Sequence, residues 1–583
     1  MKPIAVKLSE NAYRVDCPLY GLEISGHLIS VLVGGEALAE LDVRCAVPQT
    51  MDDNTGAIVD AEPNIPQLAD VQITADEAVF TWKNRSSLWN KTYVLSCSWL
   101  RYTFEVTVEG KGRVDAVQYF SGDMDDKLHG SRYEFSEGFI GATNMRNLHN
   151  YAFPACHDYD GYSEELVPPM FCYAFRTEAV SRRLGFGLVA KRGEHNFHKF
   201  NYRTTRKANP YPYTRFWLET DQAGHTTVDG KWTAPMILGL FGDDPWEILN
   251  QYRDYYFASG IARPYANTEI PRFWHGPILC GYIEQLIQQY NVGEHWMKLA
   301  NEKFYEGILD KAKHHGLEPG FMIIDDKWQV DYANDVAAPE KFPDMRAFID
   351  RRHAEGLKTV LWWKLWDADG AKPEWCTPTC EEDVVRIDPS NPDYLKALDE
   401  NLYRLLSSDE GCYDADGLKI DFGFFNPIGR NVKTYSGKYG VELFYDYLEH
   451  IYKRAKEVKA DSLMNSSPCH PYFADICDEA RIHDYYPRNR NNREELELRT
   501  KLYTTALPGV LVDTDNAGFN TRRDVLRWLL TQQHQGAPAL YAVSGTDNSQ
   551  LDDADFRAIA QVWREYNAKI DAMYAAKGTT SKP

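Results

Sequence analysis

The sequence predicts a (β/α)8 barrel preceded by a large antiparallel β-sandwich. Three observations carry this. The first ~240 residues read as short β-rich runs separated by Gly, Asn and Asp clusters. From about Arg272 strands alternate with amphipathic helices, and eight strand candidates follow over ~300 residues. No Gly-rich phosphate turn follows the first of them, which disfavours a doubly wound sheet.

In chain order, HLISVLV, AVFTW, TYVLSCSW, YTFEVTVEG, GFGLVA and TRFWLET supply the sandwich strands. Residues 1–243 form that domain. A helical spacing begins at Asp244–Tyr256 (DPWEILNQYRDYY), with Pro early in the run. It is read as a linker helix within 244–271. The barrel, 272–575, takes its strands from Pro277–Tyr282, Gly320–Asp325, Thr359–Trp363, Gly417–Phe422, Ser462–Ser466, Ala480–Asp484, Val510–Thr514 and Ala537–Val543. One helix between them is clear: Asn391 caps, Pro392 opens, and Leu395, Leu398, Leu402 and Leu405 form a stripe. Residues 576–583 read as a frayed tail.

Bulk properties narrow the function. A chain of 583 residues exceeds one hydrophobic core. The net charge of −21 repels nucleic acid and anionic membranes, so neither is an expected partner. No run of 18 apolar residues suggests a membrane span. No apolar leader opens the sequence, so a cytoplasmic home is expected, or a periplasmic one if a signal was removed. The 11 Cys show no disulfide-framework spacing. Of the 15 Trp, most fill cores, and some are expected to cover the apolar face of a sugar.

Catalytic groups of such barrels sit at the C-terminal strand ends. There the sequence places Asp325, Asp326 and Trp328; Trp362, Trp363, Lys364, Trp366 and Asp367; Lys419 and Asp421; Arg481 and Asp484; and Asp513, Asp515 and Asn516. One Asp after a strand is commonly a helix cap. Acids at five strand ends, mixed with Trp, Lys and Arg, are not explained by capping. Glycosidic cleavage needs one ionised carboxylate and one protonated carboxyl. Asp421 shares a strand face with Lys419, whose ammonium favours the ionised, nucleophilic form. Asp484, followed by Tyr485, Tyr486 and Pro487, suits an acid/base, unless Arg481 pairs with it. Asp478 is the reserve acid. Asp325 and Asp326 would accept hydrogen bonds from sugar hydroxyls. Cys376 and Cys380 lack a second pair for zinc. His195 and His198 are expected on a wet loop or sandwich surface, and no metal or organic cofactor is expected.

At IIDDKW (Ile323–Trp328), GLKTVLWW (Gly356–Trp363), LKIDF (Leu418–Phe422) and RIHDYYP (Arg481–Pro487) the chain resembles the clan of family 27 and 36 α-galactosidases. The family 31 α-glucosidases are more distant relatives. The resemblance covers the barrel and, more loosely, the sandwich and linker helix. It implies a retaining exo-α-glycosidase acting on an oligosaccharide or glycoside, with Asp421 as nucleophile, Asp484 as acid/base and Asp325, Asp326 and Lys419 holding the sugar. Trp328, Trp363, Lys364, Trp366, Arg481 and Asp515 complete the expected substrate-binding set. A transglycosylase, an enzyme for an N-acetylated or anionic sugar, and a silent carbohydrate-binding protein are the alternatives, and a homo-oligomer fits the family. Lys327 replaces the Gly of the family's Asp-Asp-Gly-Trp, and SSPCHPYFAD (Ser466–Asp475) replaces its Cys- and Gly-rich segment. These changes bear on the sugar more than on the reaction.

Overall fold

The computed structural model describes residues 4–52, 56–59, 64–123, 130–134, 137–140, 168–177, 180–198, 200–205, 215–482, 492–515, 521–546 and 549–576. Strands from Ala5–Ser9 to Met236–Gly242 build the almost wholly antiparallel N-terminal sandwich. The strand Trp89–Ser98 alternates buried and half-exposed residues, burying Trp89, Tyr93, Leu95 and Cys97 on one face. The long strand Tyr102–Asp123 pairs with Trp89–Ser98 on one side and with Arg215–Thr233 on another.

Helix α1 (Pro245–Ala258) joins this sheet to the barrel. Asp244 caps it by accepting from the Trp246 and Glu247 amides, and Pro245 opens it. It buries Ile248, Leu249, Tyr252 and Tyr256. Gly185 permits the contact, since a Cβ there would lie 2.4 Å from Ile248 Cγ2. The Tyr252 hydroxyl donates to Leu188 O at 2.7 Å and pairs with His470 Nε2 at 2.9 Å, tying sheet to barrel. His195 corrects the expectation of a wet surface. It is fully buried in this joint, with its ring stacked on Tyr472 at 4.0 Å and its amide donating to Glu442. His198 is buried too.

The barrel strands are β1 (Ile278–Cys280), β2 (Phe321–Ile324), β3 (Lys358–Lys364), β4 (Gly417–Asp421), β5 (Leu463–Ser466), β6 (Glu479–Arg481), β7 (Leu511–Asp513) and β8 (Ala539–Leu540). They pair in parallel in this order, and β8 returns to β1 at Ala539↔Ile278. A parallel bridge Asp513↔Ala537 joins β7 to the chain just ahead of β8 and closes the ring. The eight strands lie where the sequence puts them. The sixth starts at Glu479, one residue early, and ends at Arg481.

Side-chain alternation decides what reaches the site. Ile278, Cys280, Phe321, Ile323, Val360, Trp362, Leu463, Ala539 and Tyr541 face one another inside, over Trp274. Leu279, Met322, Ile324, Leu361, Trp363, Leu418, Ile420, Met464 and Val512 belong to the outer core, where the helices pack. That shell includes α2 (Pro392–Leu406), capped by Asn391 as predicted and burying Leu398, Leu402 and Leu405. It also includes α3 (Gly440–Val458) and α4 (Asp553–Ala576). The last helix latches the barrel's start through Arg272–Asp571 at 2.7 Å and Tyr574 Oη to Ile270 O at 2.5 Å. Among the described residues, no helix is long and apolar enough to cross a membrane.

Candidate active site

Inward alternation brings Lys419 and Asp421 of β4 to the carboxyl end of the barrel. The Lys419 ammonium lies 2.7 Å from Asp325 Oδ2, with side-chain exposures of 3% and 2%. The Cys280 thiol donates to the same oxygen at 3.1 Å. Burial works against the Lys419 charge more than any single neighbour favours it, but Asp325, Cys280 and Asp421 together hold the ammonium above its usual pKa.

Asp421 is 13% exposed in its side chain. Its Oδ1 accepts from the Phe422 amide at 2.8 Å and from Arg481 Nη2 at 2.7 Å. Its Oδ2 accepts from the Trp362 indole at 3.1 Å. Phe422 adopts a left-handed φ of 61°, a conformation a bulky residue takes only when its surroundings enforce it. Three donors, the Arg481 guanidinium among them, thus orient the carboxylate, and the guanidinium charge favours its ionised form. Lys364 stands opposite Asp421 in the β3–β4 register. Its ammonium pairs with Asp367 at 2.7 Å and lies over the Tyr332 and Phe422 rings at 4.3 and 4.6 Å.

Asp326, buried beside this group, accepts from the Tyr332 hydroxyl at 2.8 Å. Burial pushes its carboxyl up to about 7; the Tyr332 bond opposes that shift, and the Asp325 charge adds to it. Arg481, fully buried, donates through Nη1 to Asp515 Oδ2 at 2.9 Å. The Asp515 amide donates to Asp513 Oδ1 at 2.9 Å. Beneath them the Asn465 amide group donates to Asp513 Oδ2 and Glu479 Oε2, both at 3.0 Å. Burial raises the Asp513 carboxyl to about 6 and Glu479 well above its ordinary range, and each carboxyl discourages charge on a close neighbour.

The arrangement presents an oriented carboxylate at a strand end, with two further carboxyls on β2's end fixed beside it. At the opposite end of the strands, Asp350, His353 and Asp414 come close enough to share a cation. The chain's own groups already serve them: Arg346 at 2.8 Å from Asp350, Asp416 at 2.7 Å from His353 and Lys459 at 3.0 Å from Asp414.

The structure therefore brings Asp325, Asp326, Lys364, Lys419, Asp421, Arg481 and Asp515 together. It does not bring in the three tryptophans expected to cover a sugar. Trp363 points outward by strand alternation and packs edge-on against Tyr447 of α3 at 6.4 Å. Trp366 lies against Tyr447 and Phe444 at 5.0 and 5.7 Å. Trp328 is fully buried in the outer core, its indole spent on Trp362 O at 2.9 Å. Asp478 is excluded as reserve acid. It is buried outside the ring of strands, paired with Lys456 at 2.6 Å and bonded by Tyr452. Lys327 turns to Asp369 and the Tyr332 ring. Asp484 and Asn516 lie outside the described residues.

Sequence reasoning chose Trp363 where the inward residue is Trp362. The period of two, counted from Lys364, distinguishes them. Tyr332, in the loop after β2, gave no sequence signal for its bond to Asp326. Asn465, within β5, and Glu479, at the start of β6, gave no sequence signal for their shared bond.

The fold, a large antiparallel sandwich leading into a (β/α)8 barrel, is similar to that of solved glycoside hydrolases of families 31 and 36. A family 31 sulfoquinovosidase from E. rectale, solved with an aza-sugar inhibitor, superposes with a TM-score of 0.59 at 12% identity, over 99% of this chain and 84% of its own. A family 36 α-galactosidase from Geobacillus stearothermophilus gives 0.51 at 11% identity, over 98% and 86%. A cycloalternan-forming enzyme from Listeria monocytogenes, bound to a pentasaccharide, gives 0.50 at 12% identity, over 96% and 58%. No protein-family model matches the chain, and no curated protein sequence is similar to it.

Proposed function

We propose that the protein is a retaining exo-α-glycosidase with Asp421 as nucleophile. The observation that carries this reading is the Asp421 carboxylate at the end of β4, aimed by Trp362, the Phe422 amide and Arg481 and flanked by the Asp325–Lys419 pair. In the first half-reaction an Asp421 oxygen bonds to the anomeric carbon as the bond to the leaving oxygen breaks. Asp484 supplies the proton to that oxygen. In the second, Asp484 takes a proton from water, the water oxygen bonds to the anomeric carbon, and the electron pair of the ester bond returns to Asp421. Asp325 and Asp326 accept hydrogen bonds from sugar hydroxyls; carboxylate oxygens have lone pairs beyond those used by Lys419 and Tyr332. An α-galactoside is the first substrate to try. The activities named for the structural neighbours support an α-glycoside, and their diversity argues for a broad panel.

The test is Asp421→Asn on the best substrate from aryl α-glycosides of galactose, N-acetylgalactosamine, glucose and anionic sugars. The variant should keep its circular dichroism and denaturation midpoint and lose on the order of 10⁴-fold or more in kcat. Wild-type rates in Asp421→Asn would remove the assignment.

A further inference from the structure

Asp515 has the position of a group that acts on the nucleophile through another residue. It is 1% exposed, behind Arg481. Its backbone is clamped: the amide donates to Asp513, and the carbonyl accepts from the Trp528 indole at 3.0 Å and Gln532 Nε2 at 2.9 Å. It holds a left-handed φ of 47°. One guanidinium joins its Oδ2 (2.9 Å, from Nη1) to Asp421 Oδ1 (2.7 Å, from Nη2).

We infer that Asp515 is a positioning residue that tunes the nucleophile: by sharing the Arg481 guanidinium with Asp421 it leaves the Asp421 carboxylate basic enough to attack. This rests on the reading of Asp421 given above. An arginine serving Asp421 alone would stabilise its charge more strongly. That helps the second half-reaction, where the carboxylate leaves, and hinders the first, where it attacks. Asp515 draws guanidinium charge toward itself and adds a like charge near Asp421, and both raise Asp421's basicity. Among the described residues, the titratable and charged groups near this pair include Asp325 and Asp326 after β2, Lys364 of β3, Lys419 of β4, Glu479 of β6, Asp513 of β7 and Tyr503. The Cys280 thiol and Tyr541 phenol, both buried, are held neutral by burial and by neighbouring carboxylates.

The test is Asp515→Asn, with Asp515→Glu as its conservative partner. Asn accepts a left-handed backbone and keeps an oxygen for Arg481, so the fold should tolerate it. The two half-reactions are measured separately. Stopped-flow release of a good aryl leaving group reports the first, and reactivation of a fluoro-sugar-trapped enzyme reports the second. In Asp515→Asn the lower acid limb of kcat/KM, below the limb of Asp326 and assigned to Asp421 ionisation, should move down by about one pH unit. The first step should slow roughly three- to tenfold while the second stays level or quickens. Asp515→Glu, which restores the charge, should bring the limb back. Equal slowing of both steps with an unmoved limb would mean a merely structural role and overturn the inference alone. Failure of Asp515→Glu to restore the limb would overturn it as well. Absence of any glycoside hydrolysis by the wild type would instead defeat the reading of Asp421, and this inference with it.

Discussion

Replacing Lys419 by Met removes the one ammonium bonded to a carboxylate that is 2% exposed. Asp325 then keeps its charge in the barrel interior, with only the Cys280 thiol, its own neighbour's amide and the site's other groups to solvate it. Breaking a buried ion pair from one side costs about 3–5 kcal/mol, because the remaining charge is stranded. The complementary variant, Asp325→Asn, strands the ammonium at similar cost. The double variant strands neither. A pair of neutral side chains of similar volume should recover most of the loss and end within about 1–2 kcal/mol of wild type. The coupling energy in the double-mutant cycle is therefore expected to exceed about 2 kcal/mol. Urea denaturation at pH 7, followed by circular dichroism, measures all four proteins. The slope m should be common to them, so that midpoints report stability. Additivity within about 0.5 kcal/mol would refute the reasoning, since it is the result expected of independent, solvated groups.

Two further outcomes follow from the site. Asp326, its carboxyl pushed up to about 7 by burial, accepts hydrogen bonds from sugar hydroxyls through both oxygens and most strongly when ionised. With a folded-state value raised by burial, it is protonated below neutrality, so kcat/KM should rise with pH through about 7, and Asp326→Asn should flatten that limb. An unchanged limb in the variant would assign the titration elsewhere. Trp362 and Trp363 are adjacent and should behave oppositely. Trp363→Ala should cost about 3–5 kcal/mol of stability through a cavity against Tyr447, with KM little changed. Trp362→Phe should leave stability within about 1–2 kcal/mol while lowering kcat roughly tenfold, by removing one donor to Asp421. Denaturation midpoints and steady-state kinetics on the same two proteins separate the cases.

These tryptophans also mark where sequence reading succeeded and where it stopped. The eight barrel strands were legible because buried parallel strands are short apolar runs between helical periodicities. The β4 pair Lys419 and Asp421 was legible because a spacing of two fixes a shared face. The same rule, applied at β3, selects Trp362 with Lys364 rather than Trp363. Residue type alone does not separate the two tryptophans; strand parity does. Asp478 does not serve as a reserve acid because it precedes β6 and turns to Lys456 of α3 outside the ring, a long-range pairing no local pattern encodes. His195 read as surface because it follows a polar loop. Its burial is imposed by Glu442 and Tyr472, over 240 residues away in sequence. The Asp421–Arg481–Asp515 chain joins β4, β6 and the segment just after β7, and only the closed barrel brings its members together.

The central claim is that Asp421 forms the covalent bond to the sugar. The direct measurement is to inactivate the enzyme with a 5-fluoro glycosyl fluoride of the preferred sugar, digest it and sequence the labelled peptide by mass spectrometry. The account predicts one glycosyl ester, on Asp421 within LKIDF (Leu418–Phe422), that is lost on incubation as activity returns. A label on Asp325, Asp326 or Asp515, or turnover without any covalent adduct, would contradict it.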